Sequence, residues 1–218
     1  MEKNLKKAYY IIIGILILLF FNKDEEGFYK NIKLIENPDD VLVLVNKNNQ
    51  LLSSYIPKDL ESISLKYANK DKYLKKEAKI AFEKLSEDAS KLGYRIVAVS
   101  AYRDYNYQNE LFNYYVKEKG LNYALECSAK PGHSEHQTGL ALDVEGSNKD
   151  YDNFENSKEF IWMKDNAHKY GFILRYPKGK EHITGFKYEP WHYRYVGNEV
   201  AKYIYENNLT LEEYFKKI

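Results

Sequence analysis

Apolar residues recur along this chain with two different periods. At residues 73–92 they recur every three to four positions, and Gly93 follows, which predicts an amphipathic helix that ends at the glycine. Short β-branched and aromatic runs instead predict strands. We predict strands at residues 41–45, 94–100, 140–144, 172–176 and 191–196, and helices at residues 73–92, 105–119, 122–127, 157–170 and 197–207, with a last helix from residue 210 onward.

The order of these elements is typical of an α+β domain. At 218 residues the chain is long enough for one well-packed domain and a tether, and no repeat or low-complexity linker divides it. We place the domain at residues 41–218. Its last helix has the start signal of a capping box, because Glu213 follows Thr210 by three residues.

An uncharged apolar run at residues 8–21 follows three lysines and precedes three acidic residues. This charge order favours a cytoplasmic start with the rest of the chain outside. The 14-residue run measures about 21 Å as a helix, against about 30 Å for a bilayer core, and no small-x-small cleavage site follows it. We predict a signal anchor at residues 1–21, a juxtamembrane linker at 22–40, and a single-pass cell-membrane protein whose domain is extracytoplasmic. Cleavage of the segment and secretion is the alternative.

Charge and cysteine content narrow the class of protein. The formal net charge is +1 and the pI is about 7.7, so nothing in the composition indicates a nucleic-acid partner. Cys127 is the only cysteine, so the domain has no internal disulfide. No histidine pattern marks this thiol as a nucleophile, and we assign it no role. The sequence does not indicate an oligomeric state.

Two short segments bring together residues that can bind a metal. Residues 134–143 read Ser-Glu-His-Gln-Thr-Gly-Leu-Ala-Leu-Asp, and residues 189–192 read Glu-Pro-Trp-His. A catalytic zinc site usually takes three ligands from His, Asp or Glu and leaves a fourth position for water. The candidate ligands are His136, Asp143 and His192, and the candidate base is Glu189.

The second segment needs a bend if both of its polar residues are to face one metal. Side chains alternate between the two faces of a regular strand, so Glu189 and His192, three positions apart, would point in opposite directions. Pro190 lies between them and disfavours helix at the residue before it. We therefore predict a bend at Pro190 that turns Glu189 and His192 toward the same side.

The two motifs together resemble the signature of the VanY-like zinc D-alanyl-D-alanine carboxypeptidases, which share a metal-site fold with the hedgehog signalling domain. The resemblance implies a single α+β domain with a mainly antiparallel sheet flanked by helices. It implies zinc held by His136, Asp143 and His192, with Glu189 handling the proton of the attacking water. The implied reaction removes a terminal D-Ala from a peptidoglycan stem peptide.

The resemblance extends to residues 100–103, Ser-Ala-Tyr-Arg, which are similar to a Ser-x-Tyr-Arg segment of the family. It implies that Arg103 polarises the scissile carbonyl and that Tyr102, Gln108 and Ser134 bind substrate. Composition separately marks Arg103, because only 4 of the 33 basic residues are arginine. Because lysine is the usual basic residue of this chain, an arginine indicates a need for the planar guanidinium group and its permanent charge.

The other histidines are weaker candidates. We interpret His133 as a rim residue or a support to the ligands, His168 as lying on the exposed face of a helix, and His182 as a loop residue.

Several alternatives stay open at this point. Related enzymes trim the tetrapeptide as L,D-carboxypeptidases, and phage-type endopeptidases cut between L-Ala and D-Glu. A non-catalytic zinc or cell-wall-binding module is a second class, and Glu189 and Arg103 argue against it because binding alone needs neither. A non-haem iron oxygenase also uses two His and one carboxylate. A carboxylate beside the last histidine favours hydrolysis over that chemistry.

Overall fold

A computed structural model describes residues 28–149 and 153–218. The predicted signal anchor at residues 1–21 lies outside the described residues, as do residues 22–27 of the predicted linker. Within the two described ranges, we find no helix both long and apolar enough to span a bilayer.

Short strands form three sheets in the described part of the chain. The strands are β1 (Lys33–Leu34), β2 (Asn49–Gln50), β3 (Leu60–Ser62), β4 (Tyr73–Lys75), β5 (Val97–Ser100), β6 (Ala141–Glu145), β7 (Phe172–Leu174) and β8 (His192–Tyr195). The largest sheet has the order β5-β6-β8-β7 and is antiparallel throughout. Two small sheets pair β1 with β2 in parallel and β3 with β4 antiparallel. The prediction of a mainly antiparallel sheet is confirmed.

The six predicted helices occur in the predicted order in the described residues, and α5 is a further short helix where a loop was predicted. They are α1 (Lys76–Lys91), α2 (Tyr105–Lys119), α3 (Leu121–Cys127), α4 (Lys158–Asn166), α5 (Glu181–Thr184), α6 (Asn198–Glu206) and α7 (Leu211–Lys217). The capping box of α7 is present, because the Thr210 hydroxyl accepts from the Glu213 N–H at 3.1 Å and the Glu213 carboxylate accepts from the Thr210 N–H at 2.8 Å. The predicted helix at residues 157–170 is divided, since its last turn, Ala167–Tyr170, is 3₁₀.

The apolar stripe of α1 explains how this helix packs on the sheet. Ala78, Phe82, Leu85 and Ala89 are all buried on one face of α1. The Phe82 ring meets the Phe172 ring of β7 edge to face, with centroids 6.3 Å apart. Burying such side chains contributes about 1.5–3 kcal/mol each for the larger ones, so this face fixes α1 against the sheet. The single α+β domain is confirmed.

The predicted strand at residues 41–45 is wrong. Val43 and Val45 are buried as expected of apolar residues, but the backbone forms a turn and an irregular segment. The carbonyl oxygens of Val41 and Val43 accept hydrogen bonds from the Arg194 guanidinium at 2.9 and 2.7 Å. A buried arginine therefore takes the acceptors that a neighbouring strand would have used.

The start of the predicted helix at residues 73–92 is also wrong, because its first three residues form β4. The Lys75 N–H donates to the Gly139 carbonyl at 2.8 Å, and Leu74 pairs with Glu61 of β3. Long-range pairing overrides the helical pattern here. Part of the predicted linker also packs on the domain, since the Tyr29 hydroxyl accepts from the Lys130 N–H at 3.1 Å.

The register of the large sheet matters for the candidate ligands. Asp143 of β6 lies directly opposite His192 of β8, and on its other side it is paired with Ser100 of β5. Directly opposite residues in an antiparallel pair have Cβ atoms about 4.5–5.5 Å apart, so their side chains can meet. A slip of one residue would turn one of the two side chains to the other face of the sheet.

We expect Gly139→Ala to destabilise the domain more than Gly93→Ala does. Both glycines have positive φ, +68° and +82°, so alanine meets a similar backbone penalty at each. A Cβ at Gly139 would lie 2.8 Å from Leu60 Cδ2 and 3.2 Å from the Lys75 backbone N, whereas a Cβ at Gly93 meets nothing within 4 Å. Overpacking of this kind costs about 1–3 kcal/mol. Urea unfolding measures the difference, and equal losses in the two variants would contradict this account of Gly139.

Candidate metal centre

Three side chains from separate elements converge at one end of the large sheet. His136 lies in the 3₁₀ turn Glu135–Thr138, Asp143 on β6 and His192 at the first position of β8. One donor atom from each lies within 4.8 Å of the others, and all three residues are buried. His136 Nε2 is 3.3 Å from Asp143 Oδ2, and His192 Nδ1 is 2.9 Å from Asp143 Oδ1. The structure thus brings the three predicted ligands together.

The backbone orients the first imidazole. His136 Nδ1 is 2.6 Å from the Ala101 carbonyl oxygen, which can only accept, so Nδ1 carries the proton and donates it. The lone pair is then on Nε2, the nitrogen that faces Asp143. A metal-binding histidine usually has its other nitrogen held in this way.

The bend predicted at Pro190 is confirmed. The His192 N–H donates to the Glu189 carbonyl at 3.2 Å, which closes a turn over residues 189–192 with Pro190 at its second position. Strand β8 begins only at the end of this turn. Glu189 Oε2 consequently lies 3.9 Å from His192 Nδ1, on the same side as the cluster.

Burial raises the pKa of the Glu189 carboxyl to about 7, with His192 and Arg103 opposing the rise and Asp143 adding to it. Only 13% of this side chain is exposed. A carboxyl with a pKa near neutrality can both accept and return a proton at physiological pH.

The pKa values of the three candidate ligands are shifted in different ways. Burial, and to a smaller extent nearby Arg103, lowers the pKa of His136 to about 4. The pKa of Asp143 stays well below its ordinary value despite burial, because both histidines stabilise the carboxylate. Burial also acts to lower the pKa of His192, but hydrogen bonds to Asp143 and Glu135 outweigh it and raise the value to about 9. A metal at Nδ1 would have to displace a proton from His192.

Sequence reasoning missed Glu135, which is fully buried beside the cluster. Its Oε2 lies 3.4 Å from His192 Nε2, and its Oε1 accepts from Arg175 Nε at 2.7 Å and from Arg194 Nη1 at 2.8 Å. The two arginines outweigh burial and hold the pKa of Glu135 well below its ordinary value. Arg103 was selected because arginine is scarce in this chain. The same criterion, applied to Arg175 and Arg194, would have indicated the buried charged residues around Glu135.

Arg103 lies at the edge of the cluster. Its backbone N–H donates to the His136 carbonyl at 3.2 Å, and its Nη1 is 3.9 Å from Asp143 Oδ2. The side chain is 20% exposed and faces a cavity of about 260 Å³. The polar residues of the cluster line this cavity together with aromatic and aliphatic side chains. The lining includes Arg103, Leu111, Tyr115, Tyr123, Cys127, Ser128, Ala129, Ser134, His136, Asp143, Tyr176, Phe186, Tyr188, Glu189, Trp191 and His192.

The three predicted substrate-binding residues occupy different positions. Ser134 is buried and lines the cavity. Gln108 lies behind the lining, where its Nε2 donates to the Ala129 carbonyl at 2.7 Å and to the Ser128 hydroxyl at 3.2 Å. Gln108 thus supports two lining residues, and neither it nor Tyr102 is part of the cavity wall.

The remaining histidines are not among the residues that line the cavity. His133 is buried, with its ring edge to face against Tyr29 at 5.0 Å. His168 is half-buried and stacks on Tyr205 at 3.8 Å, so it does not lie on a fully exposed helix face. His182 is exposed and lies in the short helix α5, where a loop was predicted.

The chain is similar to several known proteins. A carboxypeptidase of Bacillus subtilis, provisionally described as YodJ, is 45% identical over 207 residues, which cover 89% of this chain and 76% of that protein. The solved structure of the LD-carboxypeptidase LdcB is similar at a TM-score of 0.81 and 44% identity, covering 87% of this chain and 92% of that one.

A second solved structure is that of a point mutant of the vancomycin-resistance D,D-pentapeptidase VanY in complex with Zn(II). It is similar at a TM-score of 0.70 and 33% identity, covering 80% of this chain and 98% of that one. The family model described as VanY, D-alanyl-D-alanine carboxypeptidase, matches residues 71–198, a range that contains the whole cluster. By this match, and by its identity to relatives over most of their length, the chain belongs to the VanY family of D-alanyl-D-alanine carboxypeptidases.

Proposed function

We propose that the protein is a zinc carboxypeptidase that removes the terminal D-Ala from peptidoglycan stem peptides. The observation that carries the proposal is the buried set of His136, Asp143 and His192, with donor atoms within 4.8 Å of one another beside the Glu189 carboxyl. Two imidazoles and a carboxylate suit zinc and leave a coordination position for water. The zinc complex of the VanY pentapeptidase supports the choice of metal.

Each residue of the cluster has a distinct role in the proposed reaction. Zinc held by the three ligands would supply a Lewis acid and lower the pKa of a water molecule. Glu189 accepts a proton from the attacking water and passes it to the leaving amine. Arg103 donates to the carbonyl oxygen as that oxygen gains negative charge. Ser134, in the cavity wall, binds the terminal D-residue.

Two further parts of the proposal rest on the sequence. We propose, from the resemblance to the family, that Gln108 and Tyr102 also bind substrate, although neither is part of the cavity wall. We also propose that residues 1–21 anchor the chain in the cell membrane with the domain extracytoplasmic, because of the charge order around the apolar run. Substrate in the cell wall would then lie on the same side of the membrane as the site.

The second candidate function is an L,D-carboxypeptidase that acts on the tetrapeptide stem. The greater similarity to LdcB favours it, since that structure matches at a TM-score of 0.81 against 0.70 for the D,D-pentapeptidase. The two reactions use the same metal chemistry and differ in the residue on the amino side of the scissile bond. Side chains of the cavity lining, including Tyr115, Tyr123 and Trp191, would distinguish the two substrates at this residue.

Mass spectrometry of defined muropeptides tests the proposal. We expect residues 22–218, loaded with zinc, to remove one alanine from a stem ending in D-Ala-D-Ala, and a chelator to abolish the reaction. Loss only from a stem ending in a single D-Ala would assign the L,D activity to the same site. Cleavage of neither substrate by zinc-loaded protein would contradict both, and would favour an endopeptidase or a binding module.

We expect Glu189→Gln to retain about one zinc per chain and to lose about 10²–10⁴-fold in kcat, because the amide cannot accept a proton. Glu199→Gln, on the exposed surface of α6, is the matched control and should keep both zinc and turnover. Near-normal turnover in Glu189→Gln would rule out its role as the base. Metal content is measured by mass spectrometry and kcat by alanine release.

The ligand assignment is checked by a contrasting pair of variants. His136→Ala should lose metal as well as activity, whereas His182→Ala should lose neither, because that histidine is exposed and lies away from the cavity. Stoichiometric zinc in a well-folded His136→Ala variant would contradict the ligand role. The same metal analysis distinguishes zinc from the iron of a non-haem oxygenase.

A further inference from the structure

We propose that Glu135 is a positioning residue of the metal centre. By accepting the proton of His192 Nε2, it fixes the imidazole in the tautomer whose Nδ1 lone pair faces the other two ligands. The inference rests on the zinc site of the proposed function and concerns a residue that sequence reasoning did not single out. Four observations support it.

The first observation is that carboxylates flank both nitrogens of the His192 ring. Nδ1 is 2.9 Å from Asp143 Oδ1, and Nε2 is 3.4 Å from Glu135 Oε2. The Tyr176 ring stacks on the imidazole at 4.9 Å with an interplanar angle of 26°, which limits its rotation. An ionised carboxylate can only accept, so the nitrogen facing Glu135 carries a proton. Nδ1 faces the ionised Asp143 and also carries a proton, so a metal beside Asp143 gains the Nδ1 lone pair by displacing that proton while Glu135 keeps the proton on Nε2.

The second observation is that Glu135 is held as an anion by a fixed set of donors. Its side chain has no exposed surface, and both Arg175 and Arg194 donate to the same oxygen, Oε1. The other oxygen, Oε2, is the one that faces His192. The arginines therefore fix both the charge of Glu135 and which oxygen is presented to His192.

The third observation is that the arginines are themselves anchored elsewhere in the fold. Arg175 binds Glu212 of α7 through two bonds of 2.8 and 2.6 Å. Arg194 Nη2 donates to the Val41 and Val43 carbonyls. Buried charges are costly, and an apolar core of the same volume is often at least as stable. A role at the metal centre gives a reason for four charged side chains at this place.

The fourth observation is the position of Glu135 in the chain. It immediately precedes His136 in one short 3₁₀ turn, so a single backbone segment carries both one candidate ligand and the partner of another. Movement of this turn would displace both together. Carboxylates that hold metal-binding histidines usually change metal affinity by about 10–100-fold when they are removed.

Glu135→Gln gives a specific spectroscopic test. Arg175 and Arg194 will keep the amide oxygen, because they are donors, so the amide NH₂ will face His192 Nε2. That nitrogen must then accept, so the one proton of the neutral ring stays on Nδ1 beside Asp143, where zinc would have to remove it. We expect zinc affinity, measured by chelator competition, to fall by at least 10–100-fold. In ¹⁵N–¹H spectra of the zinc-loaded parent we expect a protonated Nε2 at His192. In spectra of the metal-free variant we expect an unprotonated Nε2.

Glu135→Asp is the second variant, in case the amide prevents folding. It keeps the negative charge between the arginines. Its side chain is shorter by one methylene, so the carboxylate lies farther from His192 and zinc affinity should again fall. Glu212→Asp is the matched control, because it makes the same chemical change at the same Arg175 without touching His192. We expect it to reduce the free energy of unfolding while leaving zinc affinity within about twofold of the parent, an effect below the range for a histidine partner.

The outcomes separate this inference from the proposed function. Unchanged zinc affinity and unchanged His192 spectra in both Glu135 variants, in a parent that binds zinc, would overturn the positioning role alone. Equal loss of affinity in Glu135→Asp and Glu212→Asp would also overturn it, because the buried charges would then serve stability only. A parent chain that binds no zinc would contradict the proposed function, and the positioning role with it.

Discussion

The antiparallel pairing of β6 with β8 is the constraint on which the rest of this structure depends. It places Asp143 directly opposite His192 and forms the 2.9 Å contact between their side chains. The turn at Pro190 then returns Glu189 to the same side, and the 3₁₀ turn before β6 supplies His136. Two strands and two turns thus bring the donor atoms together without any long flexible segment, as a preorganised site requires.

A network of buried charged side chains supports this arrangement. Glu135 connects His192 to Arg175 and Arg194, and Arg175 connects in turn to Glu212 on the last helix. The cost of burying these groups is offset only because each is hydrogen-bonded to another. Two elements far apart in the chain, α7 and the irregular segment at residues 41–45, are therefore connected through Arg175 and Arg194 to the side chain that contacts His192.

The sequence could predict the candidate ligands because their signal is local. His136, Asp143 and Glu189 each lie in a short motif, and the bend at Pro190 follows from the period of a strand. The family match accounts for the α+β class and the kind of enzyme. The strand predicted at residues 41–45 failed for the opposite reason, since a guanidinium 151 residues away takes its backbone acceptors. Glu135 was missed because its partners Arg175, His192 and Arg194 lie 40 to 59 residues away along the chain.

X-ray anomalous diffraction at the zinc edge, from crystals grown with zinc, tests the central claim most directly. The account predicts one strong anomalous peak within bonding distance of His136 Nε2, an Asp143 oxygen and His192 Nδ1, with Glu135 still facing His192 Nε2. A peak at another site would contradict it, and so would coordination of zinc through His192 Nε2 in place of Nδ1.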